Sequence, residues 1–295
     1  MVSHALTTHL LFLHSIILCF LCFLCFLLFK KSSHEHTLLP AMPRLASSAS
    51  MRLLTTRNTA FQSIAVWGDR REVEFRVTGA IHAWWHRDRF LTGLAWDNIA
   101  AGVLSHPGDP KSLLMLGLGG GTSLRTLRHL LPDLEITAVE IDGEMISLAR
   151  EYMALDAIGA NVITGDAYAW LAKNRRKFDV IFDDVYGVTS EDVARPGIYT
   201  PQLLAALRRS LAKDGVFAAN LVIGQGHRTM QSAFRKFLRA EFPHVRSITT
   251  EASLNETLVG ATELKPWRDL RPRCKDFPAD TDYFFWRRLR SRRLA

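Results

Sequence analysis

Hydrophobic positions along the chain fall into three regimes. Residues 10–29 are almost wholly apolar, with only His14 and Ser15 interrupting. Residues 34–56 are rich in Ser, Ala and Pro and keep no period, so they read as a linker. From residue 61 the periods become regular. Residues 61–67 and 73–77 alternate apolar with polar positions and are joined by Gly68-Asp69-Arg70-Arg71, which predicts a β-hairpin, continued by a strand at 80–84. Residues 90–104 carry apolar side chains at helical spacing, and His106-Pro107-Gly108-Asp109-Pro110 ends that helix.

Beyond it, strands and helices alternate. The apolar run 113–116 predicts a buried parallel strand, which feeds a glycine turn and a helix at 122–131. Strands then follow at 135–141, 161–164, 179–183 and 216–221, interleaved with helices at 144–154, 167–174, 201–212 and 227–242. Two further strands fit 245–250 and 256–262, and no internal repeat is present. This alternation predicts an α/β fold with a mostly parallel central sheet covered on both faces, preceded by a small N-terminal β-hairpin domain.

Composition adds bounds. A chain of 295 residues, 48% hydrophobic and 22% charged, has room for one large domain or one domain with a small appendage. Cys19, Cys22 and Cys25 lie inside the first apolar run and Cys274 lies far away. That is neither a disulfide framework nor a zinc spacing, so a reducing compartment and no metal are expected. The net charge of +8 is concentrated at 264–295, where ten basic residues face four acidic ones. This tail could meet RNA, anionic lipid or an acidic partner, but a solvated terminal helix is the simpler reading. No aromatic-interleaved RNA motif accompanies it, so nucleic acid is not an expected partner.

The run at 10–29 has the length of a bilayer-crossing helix. No Lys or Arg precedes it and Lys30-Lys31 follows it, which places the remainder in the cytosol. The expected organisation is a membrane anchor at 1–31, a linker at 32–58, a hairpin subdomain at 59–88, the main domain at 89–263 and a basic tail at 264–295. Translation starting at Met42 or Met51 would omit the anchor.

Ligands of such sheets bind at the carboxyl ends of the strands. Gly117, Gly119, Gly120 and Gly121 end the first parallel strand. Glu140 ends the second, twenty-three residues after Gly117, where an acidic side chain holds a ribose diol. Gly165-Asp166-Ala167 ends the third and Asp183-Asp184 the fourth. Asp142 or Asp166 alone would read as a helix N-cap. Together, the four strand ends predict a nucleoside pocket.

Leu116-Gly117-Leu118-Gly119-Gly120-Gly121, Val139-Glu140-Ile141-Asp142, Gly165-Asp166-Ala167 and Phe178-Asp179-Val180-Ile181-Phe182-Asp183-Asp184 resemble the spermidine synthase (polyamine aminopropyltransferase) family. The resemblance covers about residues 61–262. It implies a Rossmann-like, class I S-adenosylmethionine-dependent methyltransferase fold. It also implies S-adenosylmethionine or its decarboxylated form as co-substrate, with aminopropyl transfer to an amine. Glu140 would then hold the ribose hydroxyls, Asp166 with Ala167 the adenine, and Asp184 would help deprotonate the attacking amine.

Departures fall on the acceptor side. The family's aspartate three positions beyond the catalytic one is Gly187, and its glutamine after the hairpin glycine is His82. Its Tyr-His pair falls near Thr92-Gly93, and its Pro-Thr-Tyr-Pro-Ser-Gly segment has no counterpart around 249–256. His82 and Tyr186 are the candidate acceptor contacts. Trp84-Trp85-His86 is more simply packing, Tyr199 is a second candidate to close the site, and Asp183 is either a second acid or turned away. The expected partners are a small-molecule amine or another acceptor, the membrane through residues 10–29, and a second copy of the chain. Alternatives are methyl transfer to an unknown substrate, a non-catalytic nucleoside-binding protein, and an NAD-dependent oxidoreductase.

Overall fold

The computed structural model describes residues 51–188, 193–197, 199–224 and 226–295. The apolar run at 10–29 and nearly all of the predicted linker lie outside them. Among the described residues no helix is long and apolar enough to cross a membrane.

Four antiparallel strands form the first sheet in the order β1 (Arg52–Asn58), β2 (Ser63–Gly68), β3 (Glu72–Val77) and β4 (Ala80–His86). The last three are the predicted hairpin and its continuation. Thr78 and Gly79, both with positive φ, make the two-residue β3–β4 turn, a geometry whose twist matches that of paired strands. β1 corrects the reading of residues 52–58 as linker. It is a half-exposed edge strand of Arg, Thr and Leu, and such an edge needs no strong apolar alternation.

The second sheet has eight strands in the order β14-β12-β13-β11-β8-β5-β6-β7. Its parallel half comprises β5 (Ser112–Leu116), β6 (Glu135–Glu140), β7 (Asn161–Thr164), β8 (Phe178–Asp183) and β11 (Leu211–Val222). The two-residue strands β9 (Gly187–Val188) and β10 (Val193–Ala194) pair with each other outside it. β12 (His244–Thr249), β13 (Asn255–Ala261) and β14 (Arg290–Arg293) extend it antiparallel. Successive strand residues bury on opposite faces: Leu113, Met115, Val180 and Phe182 belong to one apolar cluster, Leu114, Leu116, Ile181 and Phe217 to the other. Both faces are therefore dry, as a parallel sheet requires.

Helices α1 (Ala95–Val103), α2 (Thr122–Leu130), α3 (Gly143–Tyr152), α4 (Ala167–Lys173), α5 (Pro201–Ser210) and α6 (Arg228–Glu241) cover those faces. The chain runs from β5 outward to β6 and β7, then returns to β8 and β11 on the other side. The switch point therefore lies between β5 and β8, where a ligand crevice opens.

The basic tail corrects its sequence reading. It folds as α7 (Trp267–Leu270), a 3-10 segment at Arg271–Asp276, α8 (Asp280–Arg288) and β14, which pairs with β12. Buried Leu270, Phe277, Trp286 and Leu289 join the main core, and the Trp286 indole N–H donates to the Leu270 carbonyl at 2.9 Å. These apolar residues are too sparse to show a period, which is why the charge dominated the reading.

Candidate active site

The glycine turn is held from inside by Glu140. At the end of β6 its Oε2 accepts the backbone N–H groups of Leu118 and Gly119, each at 2.9 Å, and Oε1 accepts that of Asp142 at 3.0 Å. The half-buried carboxylate keeps lone pairs facing the cleft, since two oxygens offer about four acceptor sites. The four glycines divide in role. A Cβ at Gly117 would lie 2.5 Å from the Asp184 carbonyl oxygen, so this glycine lets β5 and β8 close against each other. Gly119, with φ +54°, has only the His82 carbonyl near its Cβ position, at 3.8 Å, and faces open space. Gly120 and Gly121 are not among the residues that line the clefts described below. A Cβ at Gly120 would strike Ala83 and Met153, and one at Gly121 would press on Leu155. They serve helix–strand packing.

Two clefts meet at this switch point. The first, of about 560 Å³, is lined by Gly117, Glu140, Ile141, Asp166, Ala167 and Tyr168, with Phe61 and Gln62 from the segment before β2. Phe61 and Ile141 are 47% and 44% exposed, an apolar pair that a flat base would cover. Asp166 caps α4: Oδ1 accepts the Ala169 N–H at 2.8 Å, as the simpler reading of this residue required. The cap uses one oxygen and leaves the other for a ligand donor. The set fits a nucleoside: a carboxylate for a diol, an acceptor at the base edge and apolar side chains for its faces.

The second cleft, of about 430 Å³, is lined by His82, Trp96, Ser123, Asn220, Leu254 and Asn255 among others. Glu140, Gln62, Asp184 and Tyr186 line both clefts. Asp184 follows β8, and its backbone N–H donates to the Leu116 carbonyl at 2.8 Å, which pins the strand ends together. Asn220, from β11, donates its side-chain amide to Asp184 Oδ1 at 2.8 Å, and the Asn255 amide donates to Asn220 Oδ1 at 3.3 Å. Burial pushes the Asp184 carboxyl up to about 7, with Asp183 and Glu140 adding to the rise and the Asn220 amide and Arg195 opposing it. Burial also pulls the His82 imidazole below its ordinary value and pushes the Tyr186 hydroxyl up to about 12. Asp184 thus stands poised between acid and base near neutrality. Among the described residues no group of His, Cys, Asp or Glu is arranged to hold a metal ion.

With this geometry in place, comparison with known proteins adds the family. A model of the spermine/spermidine synthase domain matches residues 98–250. The chain belongs to this family. A probable polyamine aminopropyl transferase of Bifidobacterium longum is 31% identical over 186 residues, 62% of this chain and 40% of the relative. An eEF1A lysine and N-terminal methyltransferase homolog of Drosophila pseudoobscura pseudoobscura is 31% identical over 163 residues, 52% of this chain and 24% of the relative. The chain spans less than half the length of these curated relatives. A solved spermidine synthase in complex with the transition state analogue AdoDATO matches with a TM-score of 0.59 at 20% identity, covering 78% of this chain and 80% of that one. That likeness shows the α/β, Rossmann-like methyltransferase fold.

Within this family member, every carboxylate predicted at a strand end lines a cleft, except Asp183. That side chain is fully buried and points away, paired with Arg195. Tyr199, a candidate to close the site, donates instead to Asp183 at 2.8 Å. Trp84 is a packing residue, as the simpler reading had it. Thr92 and Gly93 line neither cleft. The chain brings Trp96 there instead, while Thr92 and Gly93 donate to buried Asp97, whose carboxyl burial pushes up to about 7. Asn220 and Arg195 escaped sequence reasoning. Asn220 lies mid-strand in an apolar run, and one polar residue at a strand position otherwise buried is the signal that could have found it.

Proposed function

We propose that this protein is a transferase that binds S-adenosylmethionine or decarboxylated S-adenosylmethionine in the first cleft and transfers an alkyl group, in the leading reading aminopropyl, to an amine in the second. The observation that carries this reading is Asp184: its carboxylate lies on both clefts, next to the amide of Asn220, and burial pushes it up to about 7. In this reading Glu140 accepts the ribose hydroxyls, Asp166 and Ala167 meet the base, and Gly117 and Gly119 let the backbone come close. Asp184 takes a proton from the acceptor ammonium. The freed nitrogen lone pair forms a bond to the carbon on the sulfonium. The carbon–sulfur bond breaks with its electron pair going to sulfur, which becomes a neutral thioether. A sulfonium-bound carbon needs only a neutral, aligned nucleophile, so orientation and one proton acceptor suffice.

Methyl transfer from the intact co-substrate is the second reading. It is favoured by the similarity to the Drosophila methyltransferase homolog over 52% of the chain. Calorimetric titration of the full chain with S-adenosylmethionine, decarboxylated S-adenosylmethionine and methylthioadenosine separates them. Preference for the decarboxylated form supports aminopropyl transfer, and preference for the intact form supports methyl transfer. Failure of all three to bind would sink both readings.

A further inference from the structure

We infer that the second cleft selects a primary amine carried on an apolar chain rather than a diamine. The inference rests on the alkyl-transfer reading above and names its acceptor class.

Beyond Asp184 and Glu140 the lining carries no carboxylate: the apolar side chains of Ile81, Leu94, Trp96, Val222 and Leu254 are interspersed with uncharged polar ones. Ile81 and Leu254 are large apolar residues left 37% and 73% exposed at this cleft. Polar groups between them are amides and hydroxyls, Asn255 and Ser253 among them, and the His82 imidazole, which burial holds below its ordinary pKa. Among the described lining residues only Glu140 and Asp184 carry carboxylates, and no Lys or Arg lines the cleft. Glu140 is already engaged by three backbone N–H groups of the glycine turn and the β6–α3 connection.

With the nucleoside bound as proposed and the remaining Glu140 lone pairs taken by its ribose hydroxyls, one ammonium finds one counter-charge, Asp184, at the junction. A methylene chain extending from that ammonium leaves water for apolar side chains, a favourable transfer for every group buried. A second ammonium at the far end of the same chain would lose its hydration against leucine, valine and tryptophan without a fixed anion to replace it. Charge at one end and apolar surface along the rest is the complement of a monoamine. The indole face of Trp96 suits an apolar tail equally well.

The test uses two ligands with one four-carbon chain, n-butylamine and 1,4-diaminobutane. Each is titrated into the full chain, alone and loaded with methylthioadenosine. Butylamine should bind about tenfold or more tightly than the diamine. Leu254→Asp places a carboxylate on an exposed position of the wall without disturbing the core, and should reverse the preference. Tighter binding of the diamine to the unmodified protein, or binding of neither amine, would overturn the inference. So would an unchanged preference in Leu254→Asp. If methylthioadenosine fails to bind, the functional reading falls instead, while the amine comparison on the unloaded protein still decides this one.

Discussion

Asp183 and Arg195 form an ion pair in which neither side chain reaches solvent, with Nη2 and Oδ2 2.5 Å apart. The Tyr168 and Tyr199 hydroxyls donate to the same carboxylate at 3.0 and 2.8 Å, and Arg195 also donates to the Asn220 carbonyl at 2.8 Å. The guanidinium packs over the Phe234 ring, 4.7 Å from its centroid. This knot ties the end of β8 to the segment after β10, and so fixes the chain that flanks Asp184. Breaking a buried pair from one side strands a charge, which costs about 3–5 kcal/mol.

Arg195→Met is therefore expected to lower unfolding stability by that amount. Adding Asp183→Asn should restore part of it, because the amide oxygen still accepts from both tyrosines while the stranded charge is gone. Urea unfolding of the single and double variants measures the coupling. A double variant no more stable than Arg195→Met would show that the carboxylate is not the source of the cost.

Asp184 makes stability and activity depend on pH in opposite senses. Its folded pKa of about 7 lies above the ordinary 3.8, so the folded state holds a proton that the unfolded chain releases. The associated stability is fully present below about 4 and is lost as pH rises through 7. Asp184→Asn should remove that loss, so the variant gains thermal midpoint relative to the parent at pH 8 and not at pH 4. Asp97 titrates in the same window but is common to both proteins, so the difference isolates Asp184. In the proposed reaction alkyl transfer needs the ionised form, so its rate should rise with pH through about 7. In Asp184→Asn it should fall by about 10²–10⁴-fold.

Much of the site was legible because strand ends are. An apolar run that stops at glycines or at an acid marks where a parallel strand meets the crevice, and that rule leads to Glu140, Asp166 and the pair Asp183-Asp184, from which the family resemblance singles out Asp184. Arg195 was not legible: it stands after the chain has left β8, and only the folded path returns it to Asp183. Asn220 was hidden for the converse reason, since a strand position does not reveal which neighbour its side chain meets across the sheet. Gly120 and Gly121 look identical in sequence to Gly117 and Gly119. They differ in what lies beyond the missing Cβ: Ala83 at Gly120, Leu155 at Gly121, the Asp184 backbone at Gly117 and open space at Gly119.

The C-terminal segment should be part of the folding unit. Asp282, on α8, accepts the backbone N–H groups of Phe90 and Leu91, the latter at 2.8 Å, and so positions the entry to α1 and Trp96. Asp282→Ala leaves those donors unsatisfied in a buried setting, at a cost of about 1–3 kcal/mol. Chemical denaturation of the variant against the parent measures it. A change within error would mean that the segment merely rests against the domain.

Under the proposed function Glu140 carries two duties that one substitution cannot separate and a pair can. Glu140→Ala removes the acceptor of three backbone N–H groups as well as the diol partner. It should lower thermal stability and weaken nucleoside binding together, the latter by about 10-fold or more, since a hydrogen bond to a charged group contributes about 1.5–3 kcal/mol. Glu140→Gln keeps one acceptor oxygen for Leu118 and Gly119 and the length of the side chain, but loses the charge and one acceptor. It should retain more of the thermal midpoint while still binding methylthioadenosine weakly. Thermal unfolding and calorimetry on both variants read the two duties apart. If Glu140→Gln bound methylthioadenosine as the parent does, the carboxylate would be a brace for the glycine turn and the diol would have to find its partner elsewhere.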